Sequence, residues 1–274
     1  MPELPEVEVV RQGLAPLICG RRIDAVCCGD KRLRLPVDRE GLRLQLVGAR
    51  ITEVGRRGKN LLVHSDRGSL LVIHLGMTGR LGLFPARSPA VVHDHLRFLL
   101  DNHLEMRFND ARRFGSVQLF TPAELTTGDP LAHLGPEPLG QGFTSGHLQK
   151  RAAGRRLPVK SFLMDNRVVA GIGNIYASEI LFAAGVHPLA PVAELGPPQF
   201  RALVAAARQV LARAIAAGGT TIADYVNASG QPGYFQLELA VYGRAGQPCR
   251  CCHQPVARAV LSGRATFFCP CCQG

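Results

Sequence analysis

The first residues able to do chemistry are the first ones met: Met1-Pro2-Glu3-Leu4-Pro5-Glu6-Val7-Glu8. With Met1 removed, the ring nitrogen of Pro2 is a secondary amine, a nucleophile that can form a Schiff base with a sugar aldehyde carbon. An α-amino group titrates near about 7.7–8.0, so far more of it is neutral at working pH than of a lysine at about 10.4. Glu3 stands beside it, placed to donate or accept a proton. The same residues also read as an ordinary helix start, with Pro5 at the first helical position and Glu6 and Glu8 in the first turn.

The opposite end carries a second chemical signal. Six of the nine cysteines crowd the last 26 residues, as Cys249-Arg-Cys251-Cys252, sixteen residues, then Cys269-Pro-Cys271-Cys272. A reducing cytosol disfavours disulfides and favours metal thiolates for such a cluster. Only Cys249 with Cys252 and Cys269 with Cys272 have two residues between them, the spacing that closes a tetrahedral site of four thiolates around one zinc ion. Cys251 and Cys271 are surplus. The tail offers no open coordination position or general base, so the ion is expected to be structural.

Between the termini lie shorter signals. Arg57-Gly58-Lys59-Asn60 is a basic turn, either simply solvated or an ammonium aimed at a base or phosphate. A cation there would also depress the pKa of a nearby amine. Lys150, Arg151, Arg155, Arg156, Lys160 and Arg167 form the densest basic run, suited to a phosphate backbone or to plain solvation. Gly171-Ile172-Gly173-Asn174 lets a backbone approach a phosphate and starts a helix, with Asn174 expected as its N-cap.

These residues need elements to position them. Val10, Leu14 and Leu17 or Ile18 keep helical spacing up to Gly20. Residues 21–28, 49–54, 60–64, 69–74, 95–100 and 104–108 read as short strands, with Ser65-Asp66-Arg67-Gly68 and Asp101-Asn102 as hairpin turns. Such spacing suggests an antiparallel sandwich. Thr121 to Gly146 reads as a loop, with a domain boundary near Thr127. Helices follow: one from Asn174 closed by Gly185 and Pro188, then a longer one with Phe200, Leu203, Val204, Ala207, Leu211 and Ile215 on one face, ended by Gly218-Gly219.

Composition bounds the partners. The chain has 274 residues, 46% hydrophobic and 19% charged, which describes a globular protein. Its formal charge of +11 and pI near 9.7 point to a polyanion, either nucleic acid or an acidic membrane surface. No apolar run approaches the roughly 18 residues that span a bilayer, and acids stand where a signal peptide would be basic, so a cytoplasmic, nucleoid-associated protein is expected.

PELPEVE, Arg57-Gly58-Lys59-Asn60, Asp110-Ala111-Arg112-Arg113-Phe114-Gly115, Gly171-Ile172-Gly173-Asn174 and the cysteine-rich tail occur together in this order. In that order the chain resembles, end to end, the bacterial formamidopyrimidine-DNA glycosylases, which excise oxidised purines. The resemblance implies an α+β fold of two domains: an antiparallel β-sandwich with flanking helices over residues 1–127, and a helix–two-turn–helix DNA-binding domain over 128–236, ending in a zinc-finger β-hairpin over 237–274. It implies a monomer acting on damaged double-stranded DNA, with no membrane. The flipped 8-oxoguanine or formamidopyrimidine nucleoside enters a cleft between the domains, Pro2 attacks C1′, Glu3 protonates the ring oxygen, and β,δ-elimination follows.

Residue by residue, Lys59 matches a lysine that handles the oxidised base, and His74, Lys160, Asn174, Tyr234 and Arg264 match DNA contacts. Met77, Arg112 and Phe114 match a wedge that fills the gap left by the extruded nucleotide, with Arg113 beside it; taken alone, Met77 and Phe114 would read as core residues. Gly218-Gly219-Thr220-Thr221 and residues 227–234 match a lesion-capping segment, whose glycines 230 and 233 suit a mobile lid. Ala223 departs from relatives with a basic side chain there. The endonuclease VIII type, which prefers oxidised pyrimidines, is the alternative within the superfamily; Leu4 and the Arg112-Arg113-Phe114 wedge favour the purine branch. A non-catalytic zinc-ribbon DNA binder is the alternative outside it, and it would not need a processed Pro2-Glu3 terminus.

Affinity for undamaged duplex DNA is expected to fall steeply between about 50 and 200 mM salt as bound counterions are released. A titration that is flat over that range would refute the basic-footprint argument.

Overall fold

The computed structural model describes residues 2–219 and 239–274, so Tyr234, Ala223 and the rest of the expected lesion-capping segment beyond Gly219 lie outside the described residues. The described residues form two compact units: 2–132 with Gly218 and Gly219, and 133–217 with 239–274.

In the first unit, α1 (Leu4–Ile18) starts on Pro5, whose fixed φ suits a first helical turn. Leu4, Val7, Val10, Leu14 and Ile18 form its buried stripe, while Leu17 faces outward. One sheet has the order β1 (Ile23–Cys28), β6 (Asp94–Leu100), β7 (Leu104–Asn109), β5 (Arg80–Pro85). The other has the order β2 (Ile51–Arg57), β3 (Asn60–Ser65), β4 (Leu70–His74), β8 (Ser116–Phe120). Every pairing is antiparallel. Val26, Phe98, Met106 and Phe108 of the first sheet share one apolar cluster with Val54, Leu61, Val63, Leu71, Ile73 and Val117 of the second, and Val7, Val10, Leu14 and Ile18 of α1 join it.

The chain passes between the sheets at the site end of this sandwich. Residues 75–79 carry it from β4 to β5, and residues 110–115 return it from β7 to β8. His74 pairs with Ser116 and Arg80 with Asn109, so the two crossings run side by side.

The second unit contains α4 (Ser145–Ala152), α5 (Val159–Leu163), α6 (Asn174–Ala183), α7 (Pro197–Ala216) and the hairpin β9 (Ala257–Leu261) and β10 (Arg264–Phe268). Ser262 and Gly263 both have positive φ, the type I′ geometry that matches strand twist. α6 is apolar on nearly all sides and is a core helix; it closes in a Schellman motif, with Gly185 donating to Phe182 and Val186 to Leu181.

Three expectations are corrected. The span read as a loop contains a helix, α3 (Pro122–Thr127), whose capping box joins Thr121 and Glu124. Asn174 is the first residue of α6, and its N-cap is the extended Gly173. On α7 the buried face turns through Ala206 and Ala214, leaving Val204 and Ile215 half-buried, because alanines allow closer helix packing there. The structure also has elements without a clear local signal: β5 is an edge strand ending in Pro85, β8 is short, α2 (Arg39–Leu46) buries only Leu42 and Leu46, and α4 and α5 are short.

Glu8 staples α1 to β2, accepting Nε–H of Arg56 at 2.9 Å and Nη2–H of Arg11 at 2.7 Å. Burial alone would raise its pKa, but the hydrogen bonds and charges of Arg11 and Arg56 outweigh burial and hold it below the ordinary carboxylate value. For a depressed acid, the added stability is complete above the unfolded pKa and fades as pH falls through the folded one. Glu8→Gln is expected to cost roughly 1–2 kcal/mol at neutral pH. The difference in Tm from the parent should close below about pH 4; a gap that persists in acid would mean that shape, not charge, makes the staple.

Candidate functional site

The N-terminal pair is built into the start of α1. Glu3, the residue before the first helical turn, is 1% exposed, and its backbone N–H donates to Oε2 of the buried Glu6 at 2.8 Å. Pro2, half-buried, precedes it at the N-terminal end of α1. Gly219 packs here too: with φ at +85°, a Cβ on it would stand 3.1 Å from Oε1 of Glu6. Sequence reasoning placed this glycine at a helix stop and the start of a capping segment, but not against Glu6.

Lys59 follows Gly58 in the two-residue turn between β2 and β3, where the positive φ of Gly58 suits a tight hairpin. Asn60, its neighbour, pairs with His74 on β4. Gly76 donates its backbone N–H to Nδ1 of His74 at 3.0 Å, so the ring proton sits on Nε2. Burial first, then the charges of Lys59 and Arg34, push the His74 pKa down to about 4. His74 is therefore a neutral N–H donor throughout the physiological range.

Met77 stands on the first sheet crossing and Arg112, Arg113 and Phe114 on the second. Met77 is 41% and Phe114 44% exposed, unlike the core residues they would resemble by type alone. The Arg112 guanidinium lies over the Phe114 ring, 4.6 Å from its centroid, and Arg113 holds the left-handed conformation at φ 59°. All four side chains are exposed, on two crossings that run side by side.

In the second unit, Lys160 on α5, Asn174 on α6 and Arg264 on the hairpin line one cavity of about 280 Å3, together with Ser161, Asp165 and Ser262. Arg264 is exposed. Lys160 is not part of a solvated basic face: it is 1% exposed, and its ammonium donates to the Ala265 carbonyl at 3.1 Å and the Thr266 hydroxyl at 2.9 Å. Asn174 Nδ2 also donates to Ala265 O, at 3.1 Å, while its buried Oδ1 finds no hydrogen-bond partner among the described residues. Asp165 pairs with Arg167 and Arg155, neutralising part of the basic run. Glu179, which sequence reasoning missed, lies buried on α6 and accepts the backbone N–H groups of Ala240, Val241 and Tyr242.

The Sγ atoms of Cys249, Cys252, Cys269 and Cys272 lie within 4.8 Å of one another. Cys249 and Cys272 are 3.9 Å apart and Cys252 and Cys269 3.3 Å. A tetrahedron of thiolates about a zinc ion has S···S edges of about 3.8 Å, so this donor set fits such an ion. Cys251 and Cys271 are exposed and outside the cluster. Gln273, fully buried, accepts from Cys269 N–H and donates to the Val186 carbonyl, fixing one knuckle against the end of α6.

Comparison with known proteins adds to this geometry. The family model of the formamidopyrimidine-DNA glycosylase N-terminal domain matches residues 1–117, and that of the formamidopyrimidine-DNA glycosylase H2TH domain matches residues 134–226. The curated formamidopyrimidine-DNA glycosylases of Acidithiobacillus ferrooxidans and Methylococcus capsulatus are 48% and 49% identical over 273 residues, with both chains covered in full. The crystal structure of MutM (Fpg) from Thermus thermophilus aligns with a TM-score of 0.85 at 40% identity, covering 99% of this chain and 98% of that one. A Lactococcus lactis Fpg variant in complex with DNA containing Fapy-dG aligns with a TM-score of 0.90 at 31% identity, covering 99% of both.

Serine at Cys249, Cys252, Cys269 or Cys272 is expected to lower bound metal well below one ion per chain, whereas serine at Cys251 or Cys271 leaves it in place. Elemental analysis of the purified variants checks this; loss with Cys251→Ser and retention with Cys252→Ser would put the ligands in the other register.

Proposed function

The chain belongs to the formamidopyrimidine-DNA glycosylases and is a DNA glycosylase and abasic-site lyase for oxidised purines, and from that premise we propose that its chemistry runs through the nitrogen of Pro2. The observation that carries this reading is the held terminus: Glu3 is buried and pinned through Glu6, so the amine that follows Met1 removal has a fixed place beside an acid. The Pro2 nitrogen attacks C1′ while Glu3 gives a proton to the ring oxygen, so the C1′–O4′ bond breaks and the ring opens. The nitrogen then loses its proton, and its lone pair expels the damaged base, which leaves with the C1′–N bond electrons and takes up a proton. The resulting iminium acidifies the C2′ hydrogen. Its loss expels the 3′ phosphate, a second elimination expels the 5′ phosphate, and water then releases the sugar remnant from Pro2.

The other residues recognise DNA. Lys59 faces the damaged base, and the neutral Nε2–H of His74 donates to a phosphate. Arg264 and Asn174 flank a second phosphate at their shared cavity, with Lys160 holding the hairpin that carries Arg264. Met77, Arg112 and Phe114 enter the duplex as the base leaves; Phe114 fills the gap, and Arg112 donates to the orphaned partner base. Arg113 adds a charge beside the strand, and Tyr234 belongs to the same reading. One zinc ion held by the four clustered cysteines supplies no reaction step; bound, it cross-links the two knuckles beneath the hairpin. The same reading has the protein act as a monomer on damaged duplex in the cytoplasm.

Borohydride is expected to trap a covalent adduct between enzyme and lesion DNA at Pro2, found by mass spectrometry of the N-terminal peptide. Glu3→Gln should lose base excision by at least about a hundredfold, the usual scale of general-acid help, and keep most cleavage at preformed abasic sites, where an aldehyde is already available. An adduct on Lys59 in place of Pro2 would overturn the mechanism.

A further inference from the structure

The wedge residues come from two separate sheet crossings, yet filling a gap between bases demands that their relative positions be fixed. One buried carboxylate joins the two crossings. Asp110, 0% exposed at the end of β7, accepts the Thr78 hydroxyl on Oδ1 at 2.5 Å and the Gly115 N–H on Oδ2 at 2.8 Å. The Thr78 oxygen in turn accepts the Arg112 N–H at 3.2 Å. This single network thus reaches the residue after Met77, the residue after Phe114, and Arg112 itself.

Asp110 is held from its own side as well. Its N–H donates to His93 O at 3.1 Å, and its carbonyl accepts the Arg113 N–H at 3.3 Å and faces Nε2 of the buried His95 at 2.9 Å. The crossings lie backbone against backbone. A Cβ on Gly76, whose φ is +67°, would fall 2.4 Å from the Phe114 carbonyl carbon, and one on Gly115 would fall 2.8 Å from His74 O. No side chain fits between them, so the tie is made by a carboxylate reaching in from the strand end.

We propose that Asp110, acting through Thr78, is the positioning residue of the wedge, locking the two crossings into one body so that Met77, Arg112 and Phe114 enter the duplex together. The proposal rests on the wedge reading given above. Asp110 is buried and touches no DNA; it works through the loops it joins.

The test compares single-turnover excision of 8-oxoguanine with cleavage of a preformed abasic site, where no base has to be expelled. Thr78→Val, which keeps the shape and removes the hydroxyl, is expected to lower the ratio of the two rates about tenfold, the scale of one lost charge-assisted hydrogen bond. Thr78→Ser should restore it to within about twofold, and Asp110→Asn should move it in the same direction as Thr78→Val. An unchanged ratio in Thr78→Val, an equal loss of both rates, or no rescue by serine overturns the proposal. Phe114→Ala, measured alongside, separates the two claims: if it leaves the ratio unaltered, the wedge reading itself fails. In that event Phe114→Trp decides, because the chain has no other tryptophan. Its fluorescence anisotropy should drop when Thr78→Val is added, and an unchanged value overturns the tie.

Discussion

The first unit depends on a constraint of connectivity: its chain has to change sheets twice at one end of the sandwich, in opposite directions and side by side. Strand pairing carries order up to His74 and Ser116 on one sheet and up to Arg80 and Asn109 on the other, but the crossings themselves have no ladder. Their backbone polar groups still need partners. Asp110 satisfies one directly, the Gly115 N–H, and a second through the Thr78 hydroxyl, which it orients and which accepts the Arg112 N–H; positive-φ Gly76 together with Gly115 allows the crossings to touch. Side chains that would be costly to expose, such as Met77 and Phe114, can then project from a rigid base.

The second unit solves a related problem with buried charge. An ammonium or carboxylate withdrawn from water is tolerated only when hydrogen-bonded. Lys160 is satisfied by the Ala265 carbonyl and the Thr266 hydroxyl, and Glu179 by three successive backbone N–H groups. Each charge therefore reports on correct placement of a segment distant in sequence. The result sets Arg264 and Asn174 around a common cavity instead of leaving the hairpin tethered by its cysteine knuckles alone.

Much of this was legible in the chain, for reasons of range. The helix on Pro5, the alternating strands and the two-residue spacing of the cysteine pairs are local patterns, and each matches the structure. The Thr121-Pro122-Ala123-Glu124 start of α3 was equally local, but it was hidden by the glycines and prolines around it. Asn174 was displaced by one position because Gly173 can cap a helix as well as asparagine can. What escaped entirely was long-range: Lys160 looks like one of six surface cations until its partners more than a hundred residues away are known, and Asp110, Thr78 and Glu179 carry no periodic signature at all.

The arrangement of the second unit also bears on how the protein is made. Its helices are complete by Ala217, yet the groups that satisfy Lys160 and Glu179 lie at 240–242 and 265–266. At roughly 5–20 residues per second, a ribosome takes several seconds to supply them. The strands of the sandwich are all made before then and can pair while synthesis continues. Birth of the protein is thus ordered: the half that holds Pro2 can be ready early, while the half that holds Arg264 waits for the later segments that satisfy Lys160 and Glu179.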